Sequence, residues 1–553
     1  MPRDRARFVW MAALVGVAAC GGDQSTGPRM SPCGAGAGVV LTLSVGADTS
    51  IDPAADSGCV PFAANAGADT VEYLLVAQSA ASTSGRLSPF QLRSGQSTGA
   101  AVALGGGAPV GGRRSWGAMA ARFDAFRSRL ARERGYGRLA RVSPPARAIL
   151  AAPAGPPTVG SLRGFRVCAK LDCSTLQLVT GRAVMVSPHI AIYVDTQAPA
   201  GGLDSTALDS LGMLLDTRLY PIDTVAFGGV SDIDGNGVVA VLMTGVVNAL
   251  VTKAQCHNAG YIAGFFFGGD LDPSYATQYS DGEVYYSIVP DPDSTLSCAH
   301  SASQVERLAP VTFAHEFQHM ISFVQHVLVR GGPAEEGWLD EGMSKYAEEL
   351  AGRSFLPADQ TTFTQYVLDD LYDGYRYLAA TGDASLLVPL DTGGLPEIGA
   401  SWLFVRYLVD QYGDSLPLRL HETTLTGAAN VAARTGLPFA TSVARWALAN
   451  WVSDLPGFAT PSELTYRSWR FRTTYASLNA QDPADFPEPF PLVPMVSAAA
   501  AVDVSGVLRS GSGIYARALQ PPGAAGFTLA FTADGATLLP ASVVPRLVVL
   551  RVR

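Results

Sequence analysis

"HEFQHMISFVQH", residues 315–326, gathers three of the chain's seven histidines into one short apolar stretch. Around it Phe313, Phe317, Met320, Ile321, Phe323, Val324, Val327 and Leu328 reach nearly every face of a helix, the pattern of a buried helix rather than an amphipathic surface one. Pro310 suits a first turn, and no glycine interrupts the run before Gly331. On such a helix His315 and His319, four residues apart, project from one face with Glu316 beside them. Two imidazoles and an ionised carboxylate cannot sit in apolar surroundings without partners, because desolvation costs on the order of several kcal/mol per charge. A divalent metal ion carrying a water satisfies all three groups, and His-Glu-x-x-His is the spacing of two zinc ligands plus a general base. The rival reading is a satisfied pair of core histidines.

A catalytic zinc wants a third protein ligand and an open position for water. The metzincin pattern would need glycine at 322 and histidine at 325, where this chain has Ser322 and Gln325. His326 misses by one residue, about 100° around a helix, and is rejected as a ligand. Downstream stands "EEGWLDEGMSKYAEEL", residues 335–350. Its "WLDEG" resembles the "WLNEG"-type segment of gluzincin metallopeptidases, whose glutamate before glycine is the third zinc ligand. With "DIDGNGVVAVLMTGVV" and "GYIAGFFFGGDLDP", these motifs look closest to the hyicolysin-like bacterial metallopeptidases, over roughly residues 180–455.

The resemblance implies an α+β zincin-like catalytic domain, a mixed sheet followed by helices, with zinc held by His315, His319 and Glu341. Peptide-bond hydrolysis of a peptide or protein substrate follows from it, with Glu316 as general base. Endopeptidase is the favoured subclass, since no "GAMEN" exopeptidase motif is present. Thermolysin-type enzymes often support the first histidine with a carboxylate four residues after the third ligand. Here that position is Lys345, so the support must come from elsewhere. Tyr366, Tyr372, Tyr375 and Tyr377 are candidates to stabilise the oxyanion, with plain packing as the alternative for each. Two rival functions stay open: a binding or structural lipoprotein that keeps the fold without turnover, and a zinc hydrolase acting on another bond.

The 553-residue chain is 48% hydrophobic and 16% charged, which allows a large core and more than one domain. A net charge of −9 offers nucleic acid no long-range attraction, so none is expected as a partner. Residues 1–20 carry Arg3, Arg5 and Arg7 ahead of an apolar run ending "VAAC", the form of an export signal with a lipobox. Cys20 is therefore the expected lipid attachment to a bacterial membrane, and Gly21 after it suits outer-membrane sorting in a Gram-negative host. The six remaining cysteines fit an oxidising compartment, with sequential pairing of 33 with 59, 168 with 173 and 256 with 298 as the simplest guess.

Composition divides the rest. Residues 21–37 read as a tether, 38–96 as an N-terminal β domain, and 97–157 as linker containing a basic amphipathic helix. Residues 158–455 carry the metallopeptidase pattern, and 456–553 read as a C-terminal β domain. In "SDIDGNG", Asp232, Asp234 and Asn236 alternate like the start of a calcium loop, yet Met243 at the twelfth position excludes an EF-hand. A tight turn between strands is the leading reading, with an irregular calcium site, to which Asp270 and Asp272 could contribute, as the other. His189, His257, His300 and His421 show no spacing of a ligand set.

Overall fold

The computed structural model describes residue 33 and residues 38–55, 58–94, 155–388 and 393–553. The leader with Cys20, most of the tether and the basic helix lie outside the described residues. Among the described residues no helix is long and apolar enough to cross a membrane. The cysteines pair as 33–59, 168–173 and 256–298, the sequential pattern.

In chain order the strands before the helical region are β1 (Asp48–Ile51), β2 (Cys59–Phe62), β3 (Val71–Ser79), β4 (Leu87–Ser94), β5 (Leu162–Cys168), β6 (Leu176–Val186), β7 (Ile190–Asp195), β8 (Val239–Met243), β9 (Gly264–Phe266) and β10 (Val284–Ser287). Those after it are β11 (Met495–Ala498), β12 (Asp503–Arg509), β13 (Gly513–Gln520), β14 (Phe527–Thr532) and β15 (Pro545–Arg551). Strands β5 to β10 build a six-stranded mixed sheet in the order β5-β6-β7-β8-β10-β9. The pairs β7–β8 and β8–β10 are parallel, and these central strands are almost continuously buried, as parallel strands covered on both faces must be. Strand β9 closes one edge, antiparallel to β10.

The helices are α1 (Ser205–Leu214), α2 (Tyr220–Phe227), α3 (Gly245–Asn248), α4 (Lys253–Ala259), α5 (Ala302–Phe323), α6 (Gly337–Arg353), α7 (Gln360–Ala379), α8 (Leu395–Tyr412), α9 (Leu416–His421), α10 (Gly427–Thr435), α11 (Phe439–Val452) and α12 (Phe471–Gln481). Helix α5 starts earlier than Pro310 suggests. Ser301 Oγ accepts the Gln304 N–H at 3.3 Å while Gln304 Oε1 accepts the Ser301 N–H at 2.8 Å, a reciprocal cap. Pro310 therefore lies inside the helix, where it cannot donate to the Glu306 carbonyl. A wider π turn, Val324–Val329, continues α5 and carries His326.

The two flanking β domains expected from sequence are a single sandwich. Strand β3 lies between β13 and β15 in a five-stranded sheet, β1-β15-β3-β13-β11, and β4 lies between β12 and β14 in a four-stranded one, β12-β4-β14-β2. Alternation along β3 gives each face a purpose: Tyr73, Leu75 and Ala77 fill the sandwich, while Leu74 and Val76 join the core of the helical unit. The C-terminal boundary moves as well. Trp469, Phe471, Tyr475, Phe486 and Leu492 belong to the helical unit's core, so the β region begins near residue 495 instead of 456.

Glycine sets the closest helix contacts. A Cβ at Gly342 would sit 2.6 Å from the Ser401 carbonyl oxygen on α8, and one at Gly399 would collide with the Asp373 carbonyl of α7. We expect Gly399→Ala to destabilise the fold by about 1–3 kcal/mol through overpacking. Gly202→Ala, which meets nothing within 4 Å, should stay within about 0.5 kcal/mol of wild type. Urea unfolding of the two variants checks the contrast.

Candidate metal centre

His315 and His319 stand one turn apart on α5, and Glu341 lies in the first turns of α6. All three are buried. The His315 and His319 Nε2 atoms are 3.2 Å apart, Glu341 Oε2 is 3.5 Å from His315 Nε2, and Glu341 Oε1 is 3.7 Å from His319 Nε2. Ligands on a tetrahedral ion with bonds of about 2.0–2.1 Å are separated by about 3.3–3.4 Å. The Glu341 carboxylate spans the two imidazoles, one oxygen toward each Nε2, and one donor atom from each of the three residues lies within 4.8 Å of the others, close enough to share one ion. Two nitrogens and a carboxylate oxygen are also donors that zinc takes.

Each imidazole is oriented through its other nitrogen. His315 Nδ1 lies 2.7 Å from Glu348 Oε1 and His319 Nδ1 lies 3.0 Å from Asp340 Oδ2, so each Nδ1–H donates to a carboxylate and each Nε2 faces the shared point. Burial would lower the His319 pKa, but Asp340 and Glu341 outweigh it and push it up to about 10. Burial would likewise raise Glu341, and the two histidines instead hold it well below the usual carboxylate range.

The sequence reading found neither supporting carboxylate. Asp340 adjoins Glu341, and Glu348 lies seven residues beyond it, two turns along the same face of α6, a spacing that could have flagged it. Lys345 has a different part. Its Nζ is 3.1 Å from Glu348 and 3.3 Å from Asp370 on α7, so it stands behind the carboxylate that supports His315. Burial opposes ionisation of Glu348, yet Lys345 and His315 keep its pKa lowered.

Glu316 is fixed from the sheet. Its Oε2 accepts the Phe266 backbone N–H of edge strand β9 at 3.0 Å. On another side of α5, Gln318 Nε2 donates to His421 Nε2 at 2.9 Å and approaches Asp340 Oδ1 at 3.4 Å. His421 Nδ1 in turn donates to the Pro417 carbonyl at 2.8 Å. Burial lowers the His421 pKa to about 4, so its ring is neutral at pH 7, as these two bonds require. His326 is buried elsewhere, with Nε2 3.8 Å from Glu335 Oε2.

A cleft of about 800 Å³ meets the centre at His315, walled by Tyr261, Arg307, Asp369, Tyr372 and Phe486. Of the four candidate tyrosines, Tyr372 alone lines it. Tyr375 is a packing residue, its hydroxyl accepting the Glu488 N–H at 2.7 Å and donating to the Glu488 carbonyl at 3.2 Å. Tyr377 is another, bonded to Ser512 Oγ at 2.9 Å, and Tyr366 is buried outside the cleft. In the "SDIDGNG" turn Asp232 and Asp234 bring carboxylate oxygens within 4.8 Å of each other. Asn236 serves the turn itself, with Oδ1 accepting the Val238 N–H at 2.8 Å and Nδ2 donating to Asp234 at 2.6 Å. Asp270 accepts Tyr286 Oη–H and Ser280 N–H, and Asp272 caps Ser274, so both hold their own loop.

Asp340→Asn and Glu348→Gln should each weaken zinc retention about 10–100-fold while the chain stays folded, measured by competition with a chromophoric chelator. With the His319 pKa near 10, zinc binding at pH 8 should also release a proton from His319. Calorimetry in buffers of different ionisation enthalpy reads that release, and zero net proton release would contradict it.

No family model matches the chain. Over 209 residues it is 26% identical to the neutral metalloprotease ShpI of Staphylococcus hyicus, an alignment that covers 36% of this chain. The match spans 42% of that protein's length, so the likeness is between parts of the two proteins, and what it supports is a relation to a metalloprotease.

Proposed function

We propose that the protein is a zinc-dependent endopeptidase whose zinc is held by His315, His319 and Glu341 and whose general base is Glu316. The observation that carries this reading is the convergence of three buried groups that zinc takes as ligands, with the His315 and His319 Nε2 atoms 3.2 Å apart and a Glu341 oxygen within 3.5–3.7 Å of each. Similarity to a metalloprotease over 209 residues supports it independently. On this reading the mixed sheet and helices α5 and α6 constitute a zincin-like catalytic domain.

Zinc, when bound, supplies Lewis acidity that acidifies a water and polarises the scissile carbonyl. The chain's own residues do the rest. Glu316, held by the Phe266 N–H, takes the proton of the attacking water and later delivers it to the leaving amine. Asp340 and Glu348 keep both imidazoles turned toward the reaction centre. The cleft beside His315 receives the peptide, and Tyr372 on its wall is the remaining tyrosine candidate for a hydrogen bond to the developing oxyanion. The export signal and Cys20 lipobox add a place of action, the outer side of a bacterial inner membrane or the outer membrane, to this proposal.

Glu316→Gln should lower casein hydrolysis by the zinc-loaded chain about 10²–10⁴-fold at unchanged zinc content. Equal turnover by variant and wild type would remove Glu316 as the base. Retained zinc with no turnover of casein or a peptide library by wild type would overturn the peptidase reading.

A further inference from the structure

The turn "SDIDGNG", residues 231–237, takes no part in the zinc chemistry. It leads from α2 into β8, and Glu283 immediately precedes β10, the parallel neighbour of β8. One carboxylate oxygen from each of Asp232, Asp234 and Glu283 lies within 4.8 Å of the other two. Oxygens bound to one calcium ion at about 2.4 Å can be at most about 4.8 Å apart, so a single ion can touch all three.

Clustered acids alone would carry little, and the telling group is Glu283. It is 1% exposed. Its Oε1 accepts Ser231 Oγ–H at 2.6 Å and the Ile233 N–H at 3.1 Å, which fixes the carboxylate against the turn. Its Oε2 is buried and accepts no hydrogen bond among the described residues. A buried carboxylate oxygen without a donor is destabilising unless a cation or a water meets it, and beside two further carboxylates a cation is the favoured partner.

Charge points the same way. Arg163 Nη1 lies 3.2 Å from Asp234 Oδ2, while its Nη2 donates to the Ser280 and Asp281 carbonyls at 2.9 and 2.8 Å. One guanidinium faces three carboxylates, and Asp281 adds a further negative charge near Asp234, so the cluster is short of positive charge, as a cation site is before its ion arrives. Burial raises the pKa of both Asp234 and Glu283 despite their hydrogen bonds, as expected of carboxylates short of positive charge. The Gly237 N–H on Asp232 Oδ1 at 3.0 Å and Asn236 on Asp234 hold the two turn carboxylates in place without using Glu283.

We propose that Asp232, Asp234 and Glu283 form a calcium site that clamps the 231–237 turn to the start of β10. An all-oxygen, carboxylate-rich donor set on a loop suits calcium, whose coordination is adaptable, better than zinc, which prefers nitrogen and sulfur, or magnesium, which demands a strict octahedron. The site ties together the entrances of two neighbouring parallel strands, so its effect is on stability, and it stands or falls independently of the peptidase reading.

Calcium binding is measured on the full chain, zinc retained, by calorimetry and thermal melts with calcium chloride or magnesium chloride, together with calcium content after dialysis. The expected result is one equivalent of calcium, retained or titrated in, and a rise in Tm of roughly 5 °C at about a hundredfold excess over Kd, with magnesium far less effective. Asp232→Asn, at an exposed position that spares the fold, should weaken calcium binding at least tenfold and remove the rise. Glu283→Gln should do the same where it folds. Wild type without calcium binding or a calcium-dependent rise, or Asp232→Asn binding as tightly as wild type, would overturn the proposal.

Discussion

The crossing of α5 and α6 places two imidazoles, a lysine and several carboxylates inside an apolar interior, where hydrogen bonds and ion pairs link them to the surrounding helices. Two chains of contacts run outward from the centre. One goes from His315 through Glu348 and Lys345 to Asp370 and so reaches α7. The other goes from His319 through Asp340 and Gln318 to His421 and the Pro417 carbonyl, reaching α9. Removing any one member would strand a buried charge or dipole on its neighbour, which costs more than the lost bond itself. The donor geometry is therefore a property of four helices rather than of one motif.

Helix α6 is held from its opposite side too. Glu349 follows Glu348 but faces away from the centre, and its carboxylate accepts Arg353 Nε at 2.6 Å, Trp469 Nε1 at 2.9 Å and Trp402 Nε1 at 3.1 Å. Arg406 adds a longer contact at 3.4 Å and binds Asp410 at 2.9 Å. With Gly342 letting α6 approach α8 at the Ser401 backbone, rotation or sliding of α6 would break these bonds before it moved Glu341. Preorganisation of this kind lets a site hold its ligand geometry without reorganising when an ion arrives.

That His315 and His319 share one face was legible because i,i+4 spacing on a helix is local geometry, and that Glu341 meets them because its segment resembles a known motif. The orienting carboxylates were not, since a glutamate seven residues along a helix looks like any other until its face is known. Lys345 misled in an instructive way: it signals a missing carboxylate by type, yet its role is to sit behind the carboxylate that came one turn later. The surroundings of Tyr375 and Tyr377 were hidden for a related reason, as their hydroxyls meet Glu488 and Ser512, residues remote in sequence. The single sandwich was hidden by distance. Alternation identifies β3 and β13 as strands but cannot say that Val76 lies opposite Tyr515.

That sandwich bears on the centre through a definite set of contacts. Tyr515 Oη donates to the Ala447 carbonyl at 2.8 Å and Gln78 Nε2 to the Val443 carbonyl at 3.3 Å, both on α11. Ser512 Oγ donates to the Thr381 carbonyl at 2.7 Å just beyond α7 and meets Tyr377 on it. Helix α7 carries both Asp370, which pairs with Lys345, and Tyr372, which walls the cleft. Strands from either side of the helical region thus close on one sheet, and that sheet packs Leu74, Val76, Tyr515, Val548 and Leu550 into the helical core. Because β3 is central in that sheet, losing β13 or β15 would expose backbone donors and apolar side chains on both of its faces. The placement of α7 against the candidate metal centre then depends on strand pairing between two ends of the sequence, which makes the sandwich part of the support of the site rather than an appendage to it.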